Sequence, residues 1–139
     1  MRAAVVALLG GFLLSGPWSA QAPDLSTAGE AARSAWVAHQ VDGLVGSTPR
    51  LLIRLPGADP SAPVGRSQAV ALLRDYLRGF EEVETTVRET RVVDPGRGFV
   101  ELRRRYRVAG TQEIREQALL LSYELGGAGW VLTELRISG

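Results

Sequence analysis

Residues 100–108 read "VELRRRYRV" and place four arginines within nine residues. Side chains along a strand point alternately to the two faces of a sheet. If this run is a strand, the three odd-numbered arginines share one face, and Arg104 lies on the other face with Tyr106 and the aliphatic residues. We therefore interpret the run as a sheet strand whose outer arginines face water. Arg104 needs a partner, because burial of an unpaired charge is very unfavourable.

The register of the following hairpin predicts one partner for Arg104. A three-residue loop at residues 109–111 sets Tyr106 opposite Ile114 and Arg104 opposite Glu116. A two-residue loop would set polar residues opposite apolar ones, and a shift of one residue turns every side chain to the wrong face. We expect the three-residue loop, with Arg104 paired either to Glu116 or to the acid group of a ligand in a cavity.

The segments around this strand predict an α+β fold. Residues 26–45 and 66–80 predict helices from their apolar periodicity, and residues 50–55 predict a short strand between them. The rest of the chain holds four β-forming stretches separated by glycine-bearing turns, which is typical of an antiparallel meander. The predicted fold therefore has helices packed on the concave face of a curved four- to five-stranded antiparallel sheet.

The last two strands predict a contact with a second subunit. The stretches "ALLLSYEL" and "WVLTELRI" are apolar at consecutive positions, so both faces of the sheet are apolar there. Such a sheet needs a cover on both faces, and the helices cover only one. We therefore predict a homodimer through the face that carries Leu119, Leu121, Tyr123 and Leu132.

The first 22 residues predict a signal peptide. Arg2 precedes an apolar run at residues 3–14, and a stretch rich in small residues follows. The apolar run is shorter than the roughly 20 residues of a membrane-spanning helix, so we expect no permanent membrane span. Cleavage after Ala20 and cleavage after Ala22 both stay open. We expect Sec-type export to the periplasm or the medium, with residues 23–139 as a single domain.

The composition excludes several kinds of chemistry. The chain contains no cysteine and no lysine, which excludes disulfide scaffolds, thiolate metal sites, cysteine nucleophiles and Schiff-base lysines. Removal of Arg2 from the sixteen arginines leaves fifteen, against fifteen acidic residues. A nearly neutral chain lacks the long-range field that draws proteins to nucleic acid, so we expect no nucleic-acid partner.

Several apolar patterns between residues 32 and 137 resemble those of a known superfamily. They are "RLLIRL", "GRSQAVALLRDYL" leading into "VETTVRE", "GFVELRRRY", and the closing "WVLTELRI". In this order they resemble the nuclear transport factor 2-like superfamily, with its cystatin-like cone fold, and within it a family of exported bacterial proteins of unknown function. The resemblance implies a cavity between helices and concave sheet. Enzymes of the superfamily, such as ketosteroid isomerases and scytalone dehydratases, place an acid, tyrosine or histidine there, whereas many relatives dimerise or hold ligands without known activity.

The strongest candidate for chemistry is the only histidine, His39. It lies three residues after Trp36 on the same helical face, and Asp42 follows three residues later; a histidine beside an acid can act as a general base. Core packing of Trp36 and a polar helix end explain the same residues without catalysis. The stretch "EEVE" at 81–84 could bind calcium weakly or be a solvated strand entry. We expect no metal site, because one histidine and no cysteine leave only carboxylates, and we expect no cofactor.

These observations support three hypotheses of function. The first is an exported non-enzymatic domain that dimerises and holds a small ligand in a cavity lined by Trp36, His39, Arg104 and Tyr106. The second is a small isomerase, dehydratase or hydrolase of the same fold that uses His39 and Asp42. The third is an envelope assembly or chaperone-like protein that binds a partner protein.

Overall fold

Three helices and six strands make up the part of the chain that the computed structural model describes, residues 24–58 and 62–139. The predicted signal peptide and its cleavage sites lie outside these residues. The helices are α1 (Leu25–Val37), α2 (Val41–Val45) and α3 (Arg66–Leu77). The strands are β1 (Arg50–Arg54), β2 (Val64–Gly65), β3 (Phe80–Asp94), β4 (Arg97–Val108), β5 (Ile114–Gly126) and β6 (Gly129–Ser138).

The strands form one curved, open sheet in the order β2-β1-β6-β5-β4-β3. The antiparallel meander of β3 to β6 and the α+β class agree with the sequence prediction. The number of strands and the all-antiparallel pairing were wrong. β1 pairs in parallel with β6, with Ile53 opposite Leu135, and the two-residue β2 pairs antiparallel with β1.

The hydrophobic core lies between the helices and one face of the sheet. Its most completely buried apolar side chains come from α1, α3 and the central strands: Trp36, Leu51, Leu73, Val100, Leu102, Leu119, Leu121 and Leu135. The sheet residues assigned above to a dimer surface are part of this core. Leu119 and Leu121 are fully buried, and Tyr123 and Leu132 are only 6% and 3% exposed. That assignment was wrong, because an apolar pattern on two faces does not show which face the helices cover.

The β4–β5 hairpin has a register one residue away from the predicted one. Tyr106 lies opposite Arg115 and Arg104 opposite Gln117. The loop holds four residues and is stabilised by the Thr111 hydroxyl. This hydroxyl donates a hydrogen bond to the Val108 carbonyl at 2.8 Å and accepts one from the Glu113 amide at 3.0 Å. The extra residue returns the apolar residues of β5 to the core face, so Arg104 does not pair with Glu116.

Helix α1 approaches β4 closely at two glycines. An added Cβ at Gly29 would lie 3.1 Å from a methyl group of Val100. An added Cβ at Gly98 would lie 2.5 Å from Cδ2 of Leu25 and 2.8 Å from the backbone oxygen of Arg91. Because a backbone oxygen held in the β3–β4 ladder cannot move aside, Gly98 allows α1 and the hairpin to lie in contact.

We expect Gly98→Ala to lower the free energy of unfolding by about 2 kcal/mol through overpacking, as measured by urea denaturation. Gly79→Ala is the matched control, because an added Cβ at Gly79 meets no atom within 4 Å and the residue has no positive φ. Equal stability of the two variants would contradict the close packing of α1 on β4.

Burial raises the pKa of Tyr123 to about 12. The folded state therefore holds the phenol proton more tightly than the unfolded state, whose tyrosine pKa is about 10. The stabilisation is complete below about pH 10 and is lost as the pH rises from about 10 towards 12, by up to roughly 3 kcal/mol.

We expect Tyr123→Phe to remove most of this alkaline loss, as measured by urea unfolding at about pH 9 and about pH 11.5. A smaller dependence remains from Tyr76, whose pKa burial also raises. The same steep loss in Tyr123→Phe and in the unaltered chain would show that other groups cause it.

Candidate functional site

A buried ion pair between Glu82 on β3 and Arg104 on β4 forms the centre of the candidate site. Arg104 is 1% exposed, and the side chain of Glu82 is 3% exposed. Nε of Arg104 donates to one carboxylate oxygen of Glu82 at 3.0 Å, and one terminal nitrogen donates to the other oxygen. The second terminal nitrogen donates to Gln117 Oε1 at 3.0 Å. This two-point geometry is the strongest form of an arginine–carboxylate contact.

Aromatic rings surround the guanidinium group of Arg104. Its central carbon lies 4.0 Å from the ring centre of Tyr106, 5.0 Å from that of Trp36 and 5.4 Å from that of Phe80. Cation–π contacts of this kind stabilise a guanidinium that has lost its water. The rings also exclude solvent from the ion pair.

Residues from α1 and β3 complete the contacts of the Glu82 carboxylate. The indole Nε1–H of Trp36 donates to it at 2.8 Å, and Nε2 of His39 lies 3.3 Å from its other oxygen. The hydroxyl of Thr85 donates at 3.5 Å. Both oxygens of Glu82 are therefore occupied by protein groups, and its charge is balanced by Arg104.

A β-bulge aims Glu82 into the core. The register between β3 and β4 shifts between Glu82 and Glu84, so that Glu82 faces the helices and Glu84 faces outward. On the outer face, Glu84 and Glu81 form ion pairs with Arg105 at 3.8 Å and Arg107 at 3.6 Å. Each glutamate of the "EEVE" stretch thus pairs with an arginine of β4, which accounts for this stretch without calcium.

His39 occupies a strained position at the end of α1. Its φ of 55° is left-handed, which non-glycine residues adopt infrequently. The amides of His39 and Gln40 donate to the carbonyls of Trp36 and Ala35, at 2.9 and 2.8 Å. These two bonds form a Schellman motif, where glycine is the usual residue. The backbone thus holds the imidazole against Glu82 at a local cost of the order of 1 kcal/mol.

The structure brings together the four residues predicted to bind a ligand. Trp36, His39, Arg104 and Tyr106 all belong to the cluster around Glu82, but only His39 keeps substantial exposure, with 31% of its side chain accessible. Trp36 and Arg104 pack within the cluster and are 1% exposed, whereas Tyr106, 3% exposed, also borders a surface crevice with Pro56 and Arg115.

The predicted pair of His39 and Asp42 does not form. Asp42 accepts a hydrogen bond from Arg74 at 2.7 Å, whereas the acid beside His39 is Glu82. Glu82 is not among the predicted site residues, because the predicted partner of Arg104 lay on the following strand. The acidic stretch that begins β3 was the available signal, since the β3–β4 hairpin sets it opposite the arginines.

A second hydrogen-bonded group extends the cluster towards α3. Gln117, which accepts from Arg104, donates from Nε2 to the Tyr76 hydroxyl at 3.1 Å.

Within residues 24–58 and 62–139, no group of three or more histidine and carboxylate side chains is arranged to hold a metal ion. The cluster neutralises charge and links the strands. Its carboxylate and guanidinium are buried and bonded to protein groups, whereas His39 is bonded through Nε2 and keeps 31% of its side chain exposed.

Several solved structures share this arrangement of helices and sheet. A ketosteroid isomerase-like protein from Erwinia carotovora atroseptica matches with a TM-score of 0.68 and 13% identity, over 82% of this chain and 92% of its own. A domain of unknown function with a cystatin-like fold from Nostoc punctiforme matches with a TM-score of 0.64 and 17% identity, over 81% and 72%. A protein of unknown function from Shewanella oneidensis, described as nuclear transport factor 2-like, matches with a TM-score of 0.59 and 15% identity, over 82% and 95%.

This chain has the nuclear transport factor 2-like fold. At these identities the likeness concerns the fold and transfers no activity. No protein-family model matches the chain, and no curated protein matches it in sequence. The fold predicted from the resemblance is confirmed. In this chain the Glu82 cluster adjoins the hydrophobic core through Trp36.

No helix among residues 24–58 and 62–139 combines the length and the apolar character needed to cross a membrane.

We expect Glu82→Gln to lower the free energy of unfolding by about 3–5 kcal/mol, because it leaves the charge of Arg104 buried without a counter-charge. Glu84→Gln is the matched control: its side chain is 61% exposed, and its arginine contact spans 3.8 Å, so we expect a loss under about 1 kcal/mol. Chemical denaturation of both variants measures the difference. Similar losses in the two variants would show that the buried ion pair of Glu82 and Arg104 stabilises the fold no more than an exposed pair does.

Proposed function

We propose that this chain is an exported, non-catalytic domain of the nuclear transport factor 2-like fold that acts by self-association. The observation that carries this proposal is the saturation of the interior. Glu82 binds Arg104, Trp36 and His39, and Arg104 binds Glu82 and Gln117. A general acid or base must reach a substrate atom within hydrogen-bonding distance, and the carboxylate of Glu82 and the guanidinium of Arg104 are enclosed by protein groups. His39 is the member of the cluster that keeps an exposed surface.

The first alternative is an isomerase, dehydratase or hydrolase. It has less support, because His39 and Asp42 have different hydrogen-bond partners. If the chain were an enzyme of this kind, His39→Gln would lower the turnover of its substrate. The second alternative, an envelope assembly or chaperone-like partner, is compatible with the same saturated interior and differs in what binds the surface.

The outer face of the sheet, which we define as the face turned away from the helices, supports self-association. Phe99, Ala118 and Leu120 lie on it and keep part of their surface exposed. Exposed charges of both signs flank them, such as Arg103 on β4 and Glu116 on β5. A two-fold interface brings the same patch of two copies together. A patch whose apolar residues lie beside charges of both signs, such as Glu101 and Arg136 on either side of Leu120, is self-complementary. We therefore propose the outer face as the dimer interface, in place of the face that carries Leu119, Leu121, Tyr123 and Leu132, which is buried in the core.

Export is the part of the proposal that rests on the sequence alone. Residues 1–22 have the charged start, apolar run and small-residue end of a signal peptide. The absence of cysteine is compatible with an oxidising compartment, because no thiol needs protection there.

We expect the chain to be a dimer by native mass spectrometry and by light scattering after size-exclusion chromatography. Leu120→Glu should convert it to a monomer, because two like charges would meet at the centre of the interface. Leu72→Glu is the matched control; Leu72 is a 39% exposed leucine on α3, away from the outer face. Circular dichroism checks that both variants are folded. A monomeric unaltered chain, or a dimeric Leu120→Glu variant, would contradict self-association through the outer face.

A further inference from the structure

A crevice separate from the Glu82 cluster lies between α1, α2 and the end of the β5–β6 hairpin. Its volume is about 190 Å³. The wall from α1 and α2 carries small residues, among them Ala28, Ala31 and Gly43, and the wall from the sheet carries Tyr123 and Trp130. Small side chains on one wall leave a slot in front of two aromatic rings on the other. That arrangement suits a flat molecule.

Two hydrogen-bond donors in this crevice have no protein partner among the described residues. Tyr123 is 6% exposed, and burial alone raises its pKa, with no hydrogen bond acting on its hydroxyl. The indole N–H of Trp130 likewise has no partner in residues 24–58 and 62–139, whereas that of Trp36 donates to Glu82. In the same part of the chain, Nε of Arg107 is the one side-chain atom that is both buried and unpaired.

It follows that the Tyr123 hydroxyl and the Trp130 indole N–H are both reached by solvent, and the crevice is the space beside them. Buried tyrosine and tryptophan usually find an acceptor for these protons. Two residues that line one open space thus carry donors without a protein acceptor, and an acceptor atom supplied from outside the chain would satisfy them.

The lining also defines the charge and size of what fits. No residue of the crevice wall is an arginine, aspartate, glutamate or histidine. A charged ligand would lose its water without gaining a counter-charge, so the crevice favours neutral molecules. A dry cavity of about 150 Å³ holds benzene, so a volume of about 190 Å³ accommodates one six-membered ring with a small substituent.

We infer that this crevice is a binding site for a small neutral aromatic molecule with a carbonyl or ether oxygen that accepts hydrogen bonds from Tyr123 and Trp130. The ring lies between the aromatic wall and the alanines of α1. The site lies on the helix side of the sheet, opposite the outer face, so this inference goes beyond the proposed function and does not depend on self-association.

Three probe molecules with the same ring test the inference on the full chain. Acetophenone has a neutral carbonyl, ethylbenzene lacks the acceptor, and benzoate carries a charge. We expect acetophenone to bind with a Kd of about 1 mM, as expected of a fragment of this size, and ethylbenzene and benzoate to bind at least about fivefold more weakly. The readout is the indole N–H signal of Trp130 in a ¹H–¹⁵N NMR spectrum, identified by its loss in Trp130→Phe.

Three variants locate the binding. Tyr123→Phe removes one hydroxyl and should weaken acetophenone binding by about fivefold to tenfold while leaving ethylbenzene unaffected. Ala31→Leu fills the slot and should abolish binding. Ser34→Leu is its matched control, because it enlarges an exposed position of α1 that does not line the crevice. The spectra themselves show that each variant is folded.

The inference is overturned if acetophenone leaves the Trp130 signal unmoved at millimolar concentration, or if benzoate or ethylbenzene binds as tightly. Binding that survives Ala31→Leu unchanged also overturns it, because the probe would then lie elsewhere. None of these readouts depends on the oligomeric state, so failure here and failure of the proposed dimer are separate results.

Discussion

The fold depends on how the charge of one buried arginine is neutralised. Arg104 lies on the core face of β4, where an unpaired charge is incompatible with a stable interior. The structure meets this requirement with a carboxylate that belongs to the neighbouring strand. The ion pair depends on the β3 bulge, which turns Glu82 inward. It also depends on the end of α1, which places Trp36 and His39 against the same carboxylate. A local backbone irregularity, a helix end and a strand register thus share one electrostatic cause.

The same cluster divides the helix side of the sheet into two regions of different character. Around Glu82 and Arg104, donors and acceptors match within the chain, so this region holds the strands and helix ends together. At the other end of α1, Tyr123 and Trp130 face a slot bounded by small residues and carry donors without protein acceptors. In this chain, a neutralised ion pair lies in the interior, and the crevice and the outer face are the two surfaces that we propose for recognition.

Local patterns in the sequence predicted most of the fold, and pairings between distant segments accounted for the errors. Apolar periodicity found the helices and the four strands of the meander, because that signal lies within each element. The parallel contact of β1 with β6 joins segments from the two ends of the domain and leaves no local trace. The register of β4 and β5 depended on the hydroxyl of Thr111, and the orientation of Glu82 depended on a bulge. Residue types found Trp36, His39, Arg104 and Tyr106. The carboxylate of Glu82, which joins them, was missed because the arginines were matched only with the following strand, and the bulge that turns Glu82 inward leaves no local pattern.

The position of β6 has a consequence for the order of folding. This last strand of the sequence is an interior strand of the sheet, with β5 on one side and β1 on the other. β1 and β2 therefore cannot pair with the rest of the sheet until β6 has formed, whereas the β3–β4 hairpin can form earlier from contacts close in sequence. The β1–β2 pair can form locally, but it joins the rest of the sheet only through residues 134–136, about eighty positions further along the chain, and such distant contacts slow folding.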